Sequence, residues 1–235
     1  MKHIVALSGG KDSTAMALRL AEVDPREYEY VITPTGNELP EMFEHWKRIA
    51  GMLGAPLTPI PTRSLGGLIR EQKALPNHRM RWCTRKIKIE PFAKYCASVG
   101  EATAYVGLRA DEPLRTGGIY TSFGSIEVRY PLREWGWGIN DVFDYLHERG
   151  VEIPRRTDCA VCFFQRLGEW YALWRDHPEM YAEGEAWEAE TGHTFRSPSR
   201  DSWPASMADM RKRFEAGDVP KTRGVDLGQC RVCSM

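Results

Sequence analysis

The stretch Ile4-Val5-Ala6-Leu7-Ser8-Gly9-Gly10-Lys11-Asp12-Ser13-Thr14 constrains this chain more than any other part of it. An apolar run reads as a buried strand and two glycines follow it. A segment that brings Ala17, Leu18 and Ala21 to one helical face begins at once. Such a turn points unpaired N–H groups and the positive end of the helix dipole at one spot, where the missing Cβ atoms let a ligand approach the backbone. A phosphate suits that spot. Ser8, Ser13 and Thr14 add hydroxyl donors and Lys11 a cation, and Asp12 can hold a hydrated Mg²⁺ beside the phosphates. The residue order is wrong for Gly-x-x-x-x-Gly-Lys-Ser/Thr and for Gly-x-Gly-x-x-Gly.

The rest of the first half alternates strands and helices. Strands are predicted over Tyr28 to Thr33, Leu57 to Ile60 and Thr103 to Leu108, and helices over Pro40 to Leu53 and Ile89 to Val99. Alternation of this kind predicts a parallel α/β sheet. After about residue 138 the pattern turns helical: Asn140 to Arg149, then Leu167, Trp170, Tyr171 and Trp174 on one face, then Ser206 and Asp209 as a capping box ahead of Met210 and Phe214. We place a boundary near residue 150, giving a nucleotide-binding α/β region over 1–150 and a helical, cysteine-bearing extension over 151–235.

Ser8 to Ser13 resembles the PP-loop of the N-type ATP pyrophosphatases, the adenine nucleotide alpha-hydrolase superfamily that includes the phosphoadenosine phosphosulfate (PAPS) reductase family. Three more stretches fit that family: Thr35-Gly36-Asn37-Glu38-Leu39-Pro40, Gly107-Leu108-Arg109-Ala110-Asp111-Glu112 and Tyr130-Pro131-Leu132-Arg133-Glu134-Trp135. Pro34 departs from it, standing where the family often has Asp. The resemblance implies a mostly parallel five-stranded sheet flanked by helices, with an adenine nucleotide at the carboxyl ends of its strands. It implies nucleotide contacts from Ser8, Gly9, Gly10, Lys11, Asp12, Ser13, Thr14, Thr35, Gly36, Glu38, Gly107 and Arg109, and a catalytic part for Lys11, Asp12, Arg109 and Cys83. The intact Ser-Gly-Gly-Lys-Asp-Ser is closer to members that use ATP with Mg²⁺, release pyrophosphate and adenylylate an acceptor, often ahead of sulfur transfer. The alternative is a sulfonucleotide reductase with a tail thiolate, Cys230 or Cys233, as nucleophile. A third reading is a catalytically silent nucleotide-binding module.

The six cysteines are Cys83, Cys96, Cys159, Cys162, Cys230 and Cys233. Two Cys-x-x-Cys pairs in a chain read as cytoplasmic point to metal or redox chemistry before disulfides. By resemblance, Cys83 stands where the iron–sulfur reductases carry a cluster ligand. Cys83, Cys159 and Cys162 with Cys230 or Cys233 would then hold a [4Fe–4S] cluster. The rival set, Cys159, Cys162, Cys230 and Cys233, would be a structural Zn²⁺ site. Cys96, at helical spacing from Phe92 and Val99, reads as core.

Lys+Arg and Asp+Glu are 32 each, so no global field drives the chain onto a polyanion, and no apolar run is long enough to span a membrane. The charge is local. From Arg63 to Lys94 nine cations (Arg63, Arg70, Lys73, Arg79, Arg81, Arg85, Lys86, Lys88, Lys94) face two acids, Glu71 and Glu90. That stretch reads either as a solvated loop or as the place for a nucleic-acid or phosphorylated acceptor, with His78 and Trp82 available to stack. A sulfur donor or a thioredoxin-like protein completes the expected partners. Trp170, Trp174 and Trp187 read as helix packing, Glu179 to Glu190 as a solvated face, and the polar run 193–201 has no assigned role.

Overall fold

A computed structural model describes residues 1–115, 126–198 and 200–221. Among them five strands form one all-parallel sheet in the order β3-β2-β1-β4-β5: β1 (Lys2–Ala6), β2 (Glu29–Ile32), β3 (Leu57–Pro59), β4 (Ala102–Tyr105) and β5 (Ile126–Arg129). The chain winds outward from β1 through β2 to β3, then crosses back to β4 on the other side of β1. The strand order therefore reverses between β1 and β4, and their carboxyl ends frame the crevice in which open α/β sheets bind ligands.

Alternation along the strands serves two faces. Val5 and Leu7, with Tyr30 and Ile32, pack under α1 (Lys11–Val23), α2 (Pro40–Leu53) and α6 (Ile139–Glu148). Ile4 and Val31, with Ala102 and Ala104, pack under Phe92 and Cys96 of α4 (Glu90–Ser98), so Cys96 is core. A sheet covered on both faces has apolar residues on both, as parallel strands require.

Helix α2 begins with Pro40 in its first turn and ends at Gly54, whose φ of 61° closes the helix. Helix α3 (Leu65–Gln72), which the sequence reading passes over, starts at Ser64, whose hydroxyl accepts from the Gly67 amide. A π-helix over Thr84–Ile89 runs directly into α4. The short α5 (Pro131–Glu134) leads to α6, and α7 (Leu167–Asp176), α8 (Pro178–Thr191) and α9 (Met207–Glu215) form the helical region. Their apolar faces share one core with Leu39, Leu65, Leu68, Ile69, Leu75 and Ile87.

Trp170 and Trp187 lie in that core and Trp174 packs against it, as predicted. The Ser206 hydroxyl accepts from the Asp209 amide. The Glu179 to Glu190 stretch is not a solvated face throughout. Tyr181, Trp187 and Glu188 are buried, and the Glu188 carboxylate accepts from the amides of Phe195 and Met207 at 2.8 and 2.6 Å. Arg196 gives the run 193–201 a structural part. It is buried, and its guanidinium holds Asp201 and the Pro204 carbonyl, each at 2.6 Å. No helix among the described residues is long and apolar enough to cross a membrane.

Candidate active site

The Ser8–Thr14 loop sits where β1 gives way to α1, at the reversal of strand order. Gly9 has φ +82°, and a Cβ there would lie 2.5 Å from Trp46 Nε1, so both conformation and space require glycine. The loop's carbonyls are engaged from behind by α2. Trp46 Nε1 donates to Ser8 O at 3.2 Å, and His45 Nε2 donates to Gly9 O at 2.9 Å. The Ser13 hydroxyl donates to Gly10 O at 3.1 Å and lies 3.0 Å from Ser8 Oγ. No side chain caps the N-terminus of α1. With those carbonyls engaged and no side chain at the helix start, the backbone amides there are left to attract an anion.

Burial drives His45 down to about 4, so the ring is neutral, and its partners fix the tautomer: Nε2–H faces the carbonyl and Nδ1 accepts from Arg48 at 3.1 Å. Arg48 also donates to Glu152 O. The sequence reading missed His45. The signal was a polar residue among Met42, Trp46 and Ile49 on the buried stripe of α2.

Charge gathers beside the loop. Lys11 is 2% exposed and Asp12 4%, and Lys11 Nζ lies 3.5 Å from Asp12 Oδ2. The same oxygen receives Arg109 Nη1 at 2.9 Å, while Arg109 Nε reaches Asp111 at 2.8 Å and Nη2 lies 3.3 Å from Glu112. The Arg109 guanidinium is thus fully engaged by carboxylates. Asp12 Oδ1 and Thr14 Oγ1 are buried with no hydrogen-bond partner. Orphaned polar atoms of this kind mark a place for a ligand or ion. Asp12 Oδ1 fits a magnesium ion carried on a phosphate chain, because Mg²⁺ takes one or two carboxylates along with substrate oxygens.

The other motifs brace this centre. A Cβ at Gly107 would lie 3.2 Å from the Ser13 amide nitrogen, so glycine is what lets the loop after β4 lie against α1. Asp111 Oδ2 accepts from the Ile139 amide at 3.0 Å, tying that loop to the start of α6. Arg133 donates to the carbonyls of Arg109, Glu112 and Arg115. Glu38 is spent locally: its carboxylate accepts from the Thr35 amide, the Thr35 hydroxyl and the Gly36 amide at 2.6, 2.7 and 3.0 Å. Its part is to shape the Thr35–Gly36 turn, where Gly36 has φ +72°.

Cys159 is brought to this turn. Its thiol donates to Thr35 Oγ1 at 3.3 Å, and Asn37 fastens the segment, its carbonyl and Oδ1 accepting from the Ala160 and Val161 amides at 2.6 and 2.8 Å. A narrow cleft lies between, lined by Ser8, Thr35, Glu38, Trp46, Lys88 and Cys159, with about 10 Å³ open to the centre of a water molecule. Asn37 and Lys88 are site residues that spacing alone did not single out.

Burial raises the Cys83 thiol, raises Cys159 to about 11 and raises Cys162 well above its ordinary value. These thiols are protonated at neutral pH. Three of the expected ligands, Cys83, Cys159 and Cys162, fall within the described residues. Among the described residues no three His, Cys, Asp or Glu side chains are placed to hold a metal ion. Cys83 stands at the N-cap position of the π-helix, with no capping bond from its side chain, and the Cys159 thiol turns to Thr35. Cys230 and Cys233 lie outside the described residues. His78 is exposed and Trp82 half-buried. His78 stacks edge-on against Phe163 and Phe164 at 5.1 and 4.9 Å, and Trp82 packs on the helical core.

Residues 2–170 match the phosphoadenosine phosphosulfate reductase domain family. The chain is 23% identical over 200 residues to an uncharacterized protein of Methanocaldococcus jannaschii, covering 79% of this chain and 40% of that protein. It therefore spans less than half the length of that curated relative. The phosphoadenylyl-sulfate (PAPS) reductase of Candida auris, solved as a phosphate complex, is 14% identical with a TM-score of 0.48, covering 65% of this chain and 75% of that one. A predicted tRNA methyltransferase subunit from M. jannaschii is 17% identical with a TM-score of 0.42, covering 63% and 75%.

Proposed function

The chain belongs to the phosphoadenosine phosphosulfate reductase domain family, and from that premise we propose that it binds ATP with Mg²⁺ at the Ser8–Thr14 loop, releases pyrophosphate and adenylylates an acceptor, in support of sulfur transfer. The observation that carries the reading is the loop itself. Ser8 O and Gly9 O are occupied by Trp46 and His45, and no side chain caps the start of α1, with buried Lys11 beside it.

A buried ammonium whose nearest carboxylate lies 3.5 Å away is stabilised when an anion completes its coordination. In this reading the loop amides and Lys11 hold the β and γ phosphates. Charge then builds on the departing pyrophosphate against donors already in place, and phosphoryl and nucleotidyl transfer needs little more than such positioning and electrostatics. Asp12 Oδ1 would hold the magnesium ion, which supplies charge neutralisation on the phosphates. Arg109 acts as a positioning residue: it binds Asp12 Oδ2 and leaves the buried Oδ1 without a partner.

The family match favours one second reading, a sulfonucleotide reductase in which the Cys230 or Cys233 thiolate attacks the sulfonate sulfur and a thioredoxin-like dithiol resolves the product. Product analysis separates the two. Pyrophosphate with AMP or adenylylated acceptor formed from ATP supports the first, and sulfite released from PAPS supports the second.

A further inference from the structure

The basic stretch of the sequence does not form one patch. Arg70 lies 3.4 Å from Glu190, Arg85 lies 3.2 Å from Glu90, Arg81 stands over the Phe164 ring, and Lys88 lines the loop cleft. Three of the remaining cations meet in a separate cleft of about 690 Å³ that runs from the end of β3 along the π-helix and α4. Arg63 follows β3, Lys86 is on the π-helix and Lys94 is on α4. Arg63 touches Glu71, but among the described residues no carboxylate pairs with Lys86 or Lys94. The one acid in the wall, Glu90, is the partner of Arg85.

We propose that this cleft binds the phosphodiester backbone of a single-stranded nucleic acid. Three cations carried by three separate segments suit successive phosphates better than one. The π-helix runs unbroken into α4, so no free helix start opens into the cleft to grip a single phosphate as the Ser8–Thr14 loop does. Pro61, Pro91 and Tyr95 supply apolar wall between the charges, and the Tyr95 hydroxyl is held by Glu29. The position is productive. The end of β3 is two strands from the end of β1, about 10 Å at ordinary strand spacing, and Lys86 and Lys88 of one π-helix line the two clefts. A strand held here would lie within about two strand spacings of the nucleotide loop. Its service as the acceptor rests on the proposed function, whereas its binding does not.

The test is fluorescence anisotropy with a mixed-sequence 20-nucleotide single strand, in RNA and DNA versions, titrated with the full chain between 50 and 200 mM KCl. We expect Arg63→Gln/Lys86→Gln/Lys94→Gln to weaken binding about tenfold or more at low salt. The slope of log affinity against log salt should fall by about 2, three contacts at roughly 0.7 each. The charge-keeping pair Lys86→Arg/Lys94→Arg retains binding. Mg-ATP binding, measured separately, should be unchanged in every variant, so a chain that fails to bind ATP yet binds the oligonucleotide through these cations leaves this proposal standing. The RNA and DNA arms tell which nucleic acid is held. Equal affinity and salt slope in the wild type and the triple variant, no binding by the wild type, or full competition by a mononucleotide at equal phosphate concentration would each overturn it.

Discussion

His45 Nε2 donates to the carbonyl of Gly9 at 2.9 Å, joining the buried face of α2 to the turn of the phosphate loop. On the other side of the ring Nδ1 can accept from Arg48 only while the imidazole is neutral, and burial secures this by lowering His45 to about 4. The unfolded ring binds its proton near 6.5, so between pH 6.5 and 4 the unfolded state holds more protons than the folded one. His45 therefore contributes stability that is complete above pH 6.5 and lost as pH falls toward 4, at a slope of up to about 1.4 kcal/mol per pH unit. The stability of the wild type minus that of His45→Gln, from urea unfolding at each pH, should rise with that slope across this range. Parallel curves would remove His45 from the account.

Glu188 should act in the opposite sense over nearly the same range. Burial raises its carboxyl to about 7 against an ordinary 4.5, so the folded state holds the extra proton between those values. Stability from this group is present below pH 4.5 and declines as pH rises through 7. Glu188→Gln should thus make the chain gain stability with rising pH more steeply than the wild type does, because the His45 effect is no longer offset. It also gives up one of two buried amide acceptors, at a cost of about 1–3 kcal/mol. An unchanged pH profile in this variant would contradict the assignment.

At Gly9 an alanine must adopt a φ of +82° and displace Trp46, whose Nε1 would lie 2.5 Å from the new Cβ. Strain of this kind costs about 1–3 kcal/mol, and the loop is the cheapest place to relieve it. Gly9→Ala should weaken ATP binding at least tenfold in calorimetric titration while thermal unfolding shifts by only a few degrees. Undiminished ATP affinity would mean that the loop does not contact the phosphates.

Asn37 is the fastening between the nucleotide side and the Cys159 segment. Asn37→Ala leaves the buried Val161 amide without its 2.8 Å acceptor, a loss of about 1–3 kcal/mol. Cys159, now shielded, should react faster with a thiol reagent at pH 8 in the variant than in the wild type. Equal labelling rates would show that other contacts hold the segment.

Much of the centre was legible in the sequence because local chemistry dictates it. The Gly-Gly turn between an apolar strand and a helix has one geometry, and Pro40 with Gly54 bounds α2 from within. Long-range roles were not legible. Glu38 looked like a ligand residue, yet it closes its own turn. Arg109 read as a nucleotide contact, and the carboxylates of Asp12, Asp111 and Glu112 that hold it meet it only once β1 and β4 are paired. Helix α3 and the π-helix were hidden by Gly66-Gly67 and by the density of Lys and Arg, which read as loop. Their burial comes from the helical core, through Leu65, Leu68 and Ile87. The basic stretch needed tertiary structure to sort its charges between ion pairs and clefts.

The central claim is that the Ser8–Thr14 loop splits ATP between its α and β phosphates. Its most direct test is ³¹P NMR of Mg-ATP turned over by the full, anaerobically purified chain with candidate acceptors, comparing wild type with Lys11→Gln. The account predicts pyrophosphate with AMP or an adenylylated acceptor, and a loss of rate of about a hundredfold or more in Lys11→Gln, consistent with removing one preorganised charge from the transition state. Formation of ADP and inorganic phosphate, or pyrophosphate release that is the same in both proteins, would contradict it.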